Sequence, residues 1–256
     1  MRSSRWLVAL WILGSLGTAQ AADPTLKCQQ GKLKAQGKLK NCMAKSASAV
    51  LGGKPDTTGE CRTRFTTALQ KLDAKAAAAG TSCRYIADAA AGTVSDLDTG
   101  LMWERKTGTY SAPSACPGGV TCGDPHDVNN TYTWSLNGAA VDGSAFTDFL
   151  PRLNGGTSSD GATSTGITGC FASYCDWRLP TIVELQGLLL APYPCSTFPC
   201  IDPVFGSAPG YPHFYWSATT PAGTPNLAWD VRFSNGKVDS FDATVADFVR
   251  AVRGGL

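Results

Sequence analysis

Ten cysteines in a chain of 256 residues constrain the fold more than any other feature. Their number is even, and disulfides persist only in oxidising compartments. Three pairs are tight: Cys116 and Cys122, Cys170 and Cys175, and Cys195 and Cys200 each enclose four or five residues. Local pairing is the simplest solution, contributing about 2 kcal/mol per bridge on the chain-entropy model. Zinc is the alternative, but thiolates in an oxidising compartment pair before they collect metal.

The first 21 residues agree with export. Arg2 and Arg5 precede a twelve-residue apolar run, Trp6 to Gly17, and Ala19-Gln20-Ala21 is a small-x-small cleavage site. Such a run is too short for a permanent membrane span, which needs about 20 residues. With no cysteine at the cleavage point, a lipid anchor is not expected. The mature protein is therefore expected to be periplasmic or secreted, with no transmembrane segment.

Residues 22–85 read as a basic helical hairpin. Leu26, Leu33, Leu39, Met43, Ala47 and Val50 recur at mostly helical steps, and Gly52-Gly53-Lys54-Pro55-Asp56 breaks the run. Thr57 or Thr58 caps a second helix through Cys61, Phe65, Leu69, Leu72 and Ala76, which Gly80 ends. Of three connectivities for the four cysteines here, nested Cys28–Cys83 and Cys42–Cys61 suits antiparallel helices. The steps do not match, because fourteen helical residues rise about 21 Å and twenty-two about 33 Å. Gly80 to Ser82 must therefore leave the helix and fold back.

Charge divides the chain. Residues 22–85 carry twelve Lys/Arg and four Asp/Glu, a net of +8, whereas residues 86–256 carry eight and sixteen, a net of −8. Two modules with different partners are implied. Lys32, Lys34, Lys38 and Lys40 are the candidate ligand residues, a face for acidic glycan or another envelope polyanion. The plainer reading is a solvated helix surface. Nucleic acid is not expected, since no nucleic-acid motif is present and few aromatics are interleaved.

From residue 91 the texture becomes strands, turns and tryptophans. Thr93–Asp96 and Leu101–Glu104 flank a glycine turn, and Ser234-Asn235-Gly236-Lys237 joins strands at 228–233 and 238–241. Further strands are expected at 214–219 and 248–253, and a helix near 145–153. In Asp176 to Leu185, D-W-R-L-P-T-I-V-E-L, Thr181 and Glu184 form a capping box, with Ile182, Leu185, Leu188 and Leu189 following at helical spacing.

Four segments occur in order: T-V-S-D-L-D-T-G-L-M-W-E (93–104), D-W-R-L-P-T-I-V-E-L (176–185), Y-W-S-A-T (215–219) and V-R-A-V-R-G-G (249–255). Together they resemble the Lcl C-terminal domain family, named for the end of a bacterial collagen-like adhesin. The second and fourth also resemble, more distantly, the sulfatase-modifying (formylglycine-generating) enzymes with their C-type-lectin-like architecture. The resemblance implies an α+β fold over residues 91–256: an antiparallel sheet, two helices and long disulfide-braced loops, preceded by the helical hairpin. Its motif residues are Trp103, Trp177, Arg178, Thr181, Glu184, Trp216, Arg250 and Arg253. The arginines are expected to pair with carboxylates such as Glu184 or Glu104. Trp103, Trp134, Trp177, Trp216 and Trp229 are either core or a sugar-stacking platform.

No catalytic constellation is legible. The two histidines, His126 and His213, lie 87 residues apart. Asp124, His126 and Asp127 form an exposed polar loop or, less plainly, an acid–base or metal group. No cofactor is indicated, although Asp124, Asp127, Asp142 and Asp160 would suit calcium. The formylglycine generators use cysteines in their C-terminal part, and here the last is Cys200. The resemblance thus implies a secreted, non-enzymatic adhesion protein that recognises acidic glycan. An oxidase-like enzyme and a structural envelope protein are the alternatives.

Overall fold

The computed structural model describes residues 23–115, 123–156, 169–209 and 213–255. The expected leader (1–21), Cys116, Cys122 and Asp160 lie outside the described residues.

Helix α1 spans Pro24–Leu51 and α2 spans Thr58–Ala78. The Asp23 carboxylate accepts from the Thr25 N–H and caps α1. At the turn, Asp56 rather than Thr57 caps α2, accepting from the Thr58 N–H at 2.8 Å. Ser46 on α1 donates to the same carboxylate, tying the turn to both helices. Both expected bridges form, Cys28–Cys83 and Cys42–Cys61. The chain leaves α2 at Ala79 with Gly80 at φ +69°, which brings Cys83 back to Cys28. Gly31 sets the helix separation, because a Cβ there would lie 2.7 Å from a methyl of Leu72.

The buried face of α1 differs from the expected one. Leu26, Leu33 and Val50 are 45–49% exposed, while Cys28, Lys32, Ala35 and Leu39 point inward. The disulfide and the Gly31–Leu72 approach fix the helix rotation, overriding a stripe of leucines.

The segment after Cys83 is itself a strand. β1 (Tyr85–Asp88) pairs antiparallel with β2 (Thr93–Asp96), so the chain enters the sheet before residue 91, where the sequence texture changes. β2 continues to β3 (Leu101–Glu104), and β3 pairs with the terminal strand β10 (Val252–Gly254). A second sheet joins β4 (Ser114–Ala115), β5 (Asn130–Thr133) and β9 (Ala246–Asp247). A third joins β6 (Tyr215–Trp216), β7 (Leu227–Val231) and β8 (Val238–Asp242). Gly236, at φ +81°, makes the tight turn between β7 and β8. A wide helical turn at Ala145–Phe149 runs into α3 (Leu150–Leu153), as the sequence predicts. The result is a mixed α+β architecture after a helical pair.

Two expected strands are shorter than their apolar alternation suggests. Only Tyr215–Trp216 of 214–219 pairs in a ladder, and of 248–253 only the last two residues do, within Val252–Gly254. Both segments cross between sheets: Trp216 N–H donates to Phe248 C=O, Ser217 N–H to Trp229 C=O and Ala218 N–H to Pro180 C=O. Extended chain that changes partners at each residue looks like a strand in sequence without being one.

The capping box is complete. Thr181 N–H donates to Glu184 Oε2 at 2.8 Å, and Glu184 N–H donates to Thr181 Oγ1 at 3.3 Å. The helix it starts, α4 (Ile182–Gln186), stops short of Leu188 and Leu189. Thr181→Ala should lower stability by about 1 kcal/mol in urea titrations, and Thr181→Ser should restore most of it.

Candidate functional site

Two constellations stand out, a basic recess on the hairpin and a buried acid–base cluster under β3. The sequence grouped Lys32, Lys34, Lys38 and Lys40 on one face, and the structure separates them. Lys32 is fully buried, with its Nζ 2.6 Å from Asp73 on α2 and 2.5 Å from Asp98 in the β2–β3 turn. It leaves the ligand-binding set and becomes the joint between hairpin and sheet. Gln29 and Gln36 flank it, donating to the carbonyls of Tyr85 and Leu97. Lys34 and Lys38 are exposed one helical turn apart and line a recess of about 480 Å³. Lys40 is exposed but does not line that recess, because six helical residues turn it about 120° from Lys34. From α2, Arg64 and Lys71 join the same rim. Sequence reasoning missed both, although antiparallel pairing of Cys42 with Cys61 brings those positions opposite Lys34 and Lys38.

The second constellation centres on Glu104, which is fully buried. Its Oε1 accepts from Lys106 Nζ at 2.9 Å and lies 2.8 Å from His126 Nδ1, while its Oε2 accepts from Ala251 N–H at 2.9 Å. Burial alone would raise the Glu104 carboxyl, but Lys106 and His126 outweigh it and hold it at about 2. Burial pushes the Lys106 ammonium down, partly offset by Glu104. Lys106 also lies over the Phe149 ring, 4.7 Å from its centroid. Every atom of the Glu104 carboxylate is engaged with the protein, so the cluster is built to join β3 to the terminal segment.

The motif arginines do the same. Arg178 forms a two-pronged pair with Glu184, at 2.8 and 2.7 Å. Arg253 grips Asp176, with its guanidinium 3.6 Å above the Tyr174 ring. Arg250 reaches the backbone instead of a carboxylate, donating to the carbonyls of Glu104 (2.7 Å) and Phe205 (3.1 Å). Trp103, Trp134, Trp177 and Trp216 are buried, and three of their indole N–H groups donate to backbone carbonyls: Trp134 to Ser217, Trp177 to Phe171 and Trp216 to Tyr132. These four rings are core and offer no platform to a sugar.

The calcium candidates are dispersed into local turns. Asp124 accepts from the His126 N–H, Asp127 from the Asn129 N–H and Asp142 from the Leu136 N–H, each at 2.8 Å. Among the described residues these carboxylates do not converge. Among the described residues the one cluster of metal-type groups is Cys28, Asp73 and Cys83, whose sulfurs are bonded to each other. His213 stands apart from His126 against Tyr110 and Phe248, and burial lowers its pKa. The expected bridges Cys170–Cys175 and Cys195–Cys200 form, and no cysteine is free among the described residues. No described helix is long and apolar enough to cross a membrane.

The family model for the Lcl C-terminal domain matches residues 92–253. No curated protein and no solved structure matches the chain.

Proposed function

The chain belongs to the Lcl C-terminal domain family, and from that premise we propose a secreted or periplasmic, non-enzymatic adhesion protein, exported by its 1–21 leader. Its ligand is an envelope polyanion, with acidic glycan the first candidate. The observation that carries this reading is the convergence of Lys34, Lys38 and Lys71 on one recess with no acid opposite them among the described residues. The sheet module, at a net of −8, repels a polyanion. Its disulfides, and motif arginines that bond within the protein, suit a rigid carrier that presents the hairpin.

Position, rather than total charge, should decide retention on a heparin column. Lys34→Gln/Lys38→Gln/Lys71→Gln should elute at much lower salt than the parent, with affinity down about tenfold or more, since each cation released from a polyanion counts separately. Lys40→Gln/Lys45→Gln/Lys54→Gln removes the same charge elsewhere and should elute close to the parent. Equal losses in the two variants would sink the placement.

A further inference from the structure

The recess beside Lys34 is half of a longer groove. A second recess of about 450 Å³ continues it along α1 to Pro24 and along α2 to Ala79, with Leu72 lining both. Eighteen helical steps, from Pro24 to Cys42, make it about 27 Å long. Ala35, Leu39, Phe65, Ala68, Leu72 and Ala76 form an apolar floor. Lys27, Lys34 and Lys38 rim it on α1, and Arg64, Lys71 and Lys75 on α2. Only Arg64 has an acid partner among the described residues, the exposed Glu60 at 3.4 Å. Disulfides brace the groove near both ends, so it persists without a ligand.

An occupant must satisfy the floor and the rims together. A polysaccharide meets the cations but leaves the apolar floor wet. A second copy of the hairpin covers the floor but sets lysine against lysine. A simple fatty acid fits the floor and neutralises one cation. An amphiphile with several negative groups does both, and lysine stems lie along apolar surface while their ammonium groups reach outward. We propose that the groove binds an anionic bilayer lipid bearing more than one phosphate, with an acyl chain on the floor and its phosphates against the rim lysines. This rests on the polyanion reading and narrows it to a lipid.

Flotation of the mature full-length protein with vesicles tests it. The protein should float with phosphatidylcholine vesicles doped with cardiolipin, a diphosphate lipid, and not with phosphatidylcholine alone. Ala68→Trp fills the half-buried floor without changing charge. It should weaken vesicle binding about tenfold while heparin retention stays at the parent value, which also reports an intact hairpin. Lys34→Gln/Lys38→Gln/Lys71→Gln should lose both. Vesicle binding untouched by Ala68→Trp, or no binding to cardiolipin vesicles, overturns the lipid while leaving the polyanion reading to stand on heparin. An acidic amphipathic helical peptide that outcompetes the vesicles would assign the groove to a protein partner instead.

Discussion

Glu104→Ala is expected to be the most damaging single substitution in the sheet module, costing about 3–5 kcal/mol against a total stability of about 5–15 kcal/mol. The alanine leaves the Lys106 ammonium buried, 4% exposed, with the Pro125 carbonyl at 3.4 Å, the Phe149 ring and the weaker pull of Asp124 as its remaining attractions. It also strips the Ala251 N–H of its acceptor, and a buried donor left unmatched costs a further 1–3 kcal/mol or so. Urea titration of folded fluorescence reads the loss directly. Glu104→Gln keeps the shape and one acceptor oxygen, so it should fall between parent and alanine. Pairing it with Lys106→Met removes the stranded charge and should recover part of the loss, a coupling that single deletions hide. A Glu104→Ala protein within 1 kcal/mol or so of the parent would mean water reaches Lys106, and the account of the cluster as a buried joint would fail.

That joint explains how far the sequence could be read. The four family segments are distant in sequence and converge in space. Trp103 pairs with Val252 in the β3–β10 ladder, Arg178 and Val252 exchange backbone hydrogen bonds, and Tyr215 bridges Phe248. Residues that hold such a junction have little freedom, so Thr181, Glu184, Trp177 and Trp216 announce themselves by type and spacing. The four described disulfides were legible for a related reason: short spacings and antiparallel helices leave few geometries. Lys32 was not legible. Its neighbours Asp73 and Asp98 lie 41 and 66 residues away, and no local pattern distinguishes a lysine facing a buried carboxylate from one facing water. The same blindness hid Lys71 and Arg64, whose role depends on which faces two helices turn to each other. Helix rotation is set by Gly31 against Leu72, a packing fact with no periodic signal. The short strands failed for another reason. At β6 and β10 the chain serves two sheets in turn, and alternation records burial rather than ladder membership.

Stability of the sheet module should peak in mildly acidic solution, near pH 4–5, rather than at neutrality. Two groups fix the upper side. Asp230, on β7, is fully buried with no hydrogen-bond partner on either oxygen, and burial pushes it up to about 7 against the opposing pull of Arg232. Asp239 and Asp247 raise it further, and Lys237 lowers it a little. Asp247 is pushed to about 7 by burial as well, although the Phe214 and Phe248 N–H groups donate to it. For both, the folded protein holds a proton that the unfolded chain, with an ordinary carboxyl near 3.8, has released. Between about pH 4 and 7 the folded state therefore binds more protons, and stability falls as pH rises through that window. Glu104 fixes the lower side with the opposite sign. Held at about 2 against an ordinary 4.5, it contributes stability above pH 4.5 that is lost as pH falls toward 2. Thermal melts from pH 3 to 9 should trace that dome. Asp230→Asn should raise stability at pH 8 by about 2–3 kcal/mol, since a carboxyl displaced by several pH units costs about 1.4 kcal/mol for each when ionised, and should change little at pH 4.5. A variant no more stable than the parent at pH 8 would show that Asp230 ionises with compensation inside the fold, and the acid optimum would then need another origin.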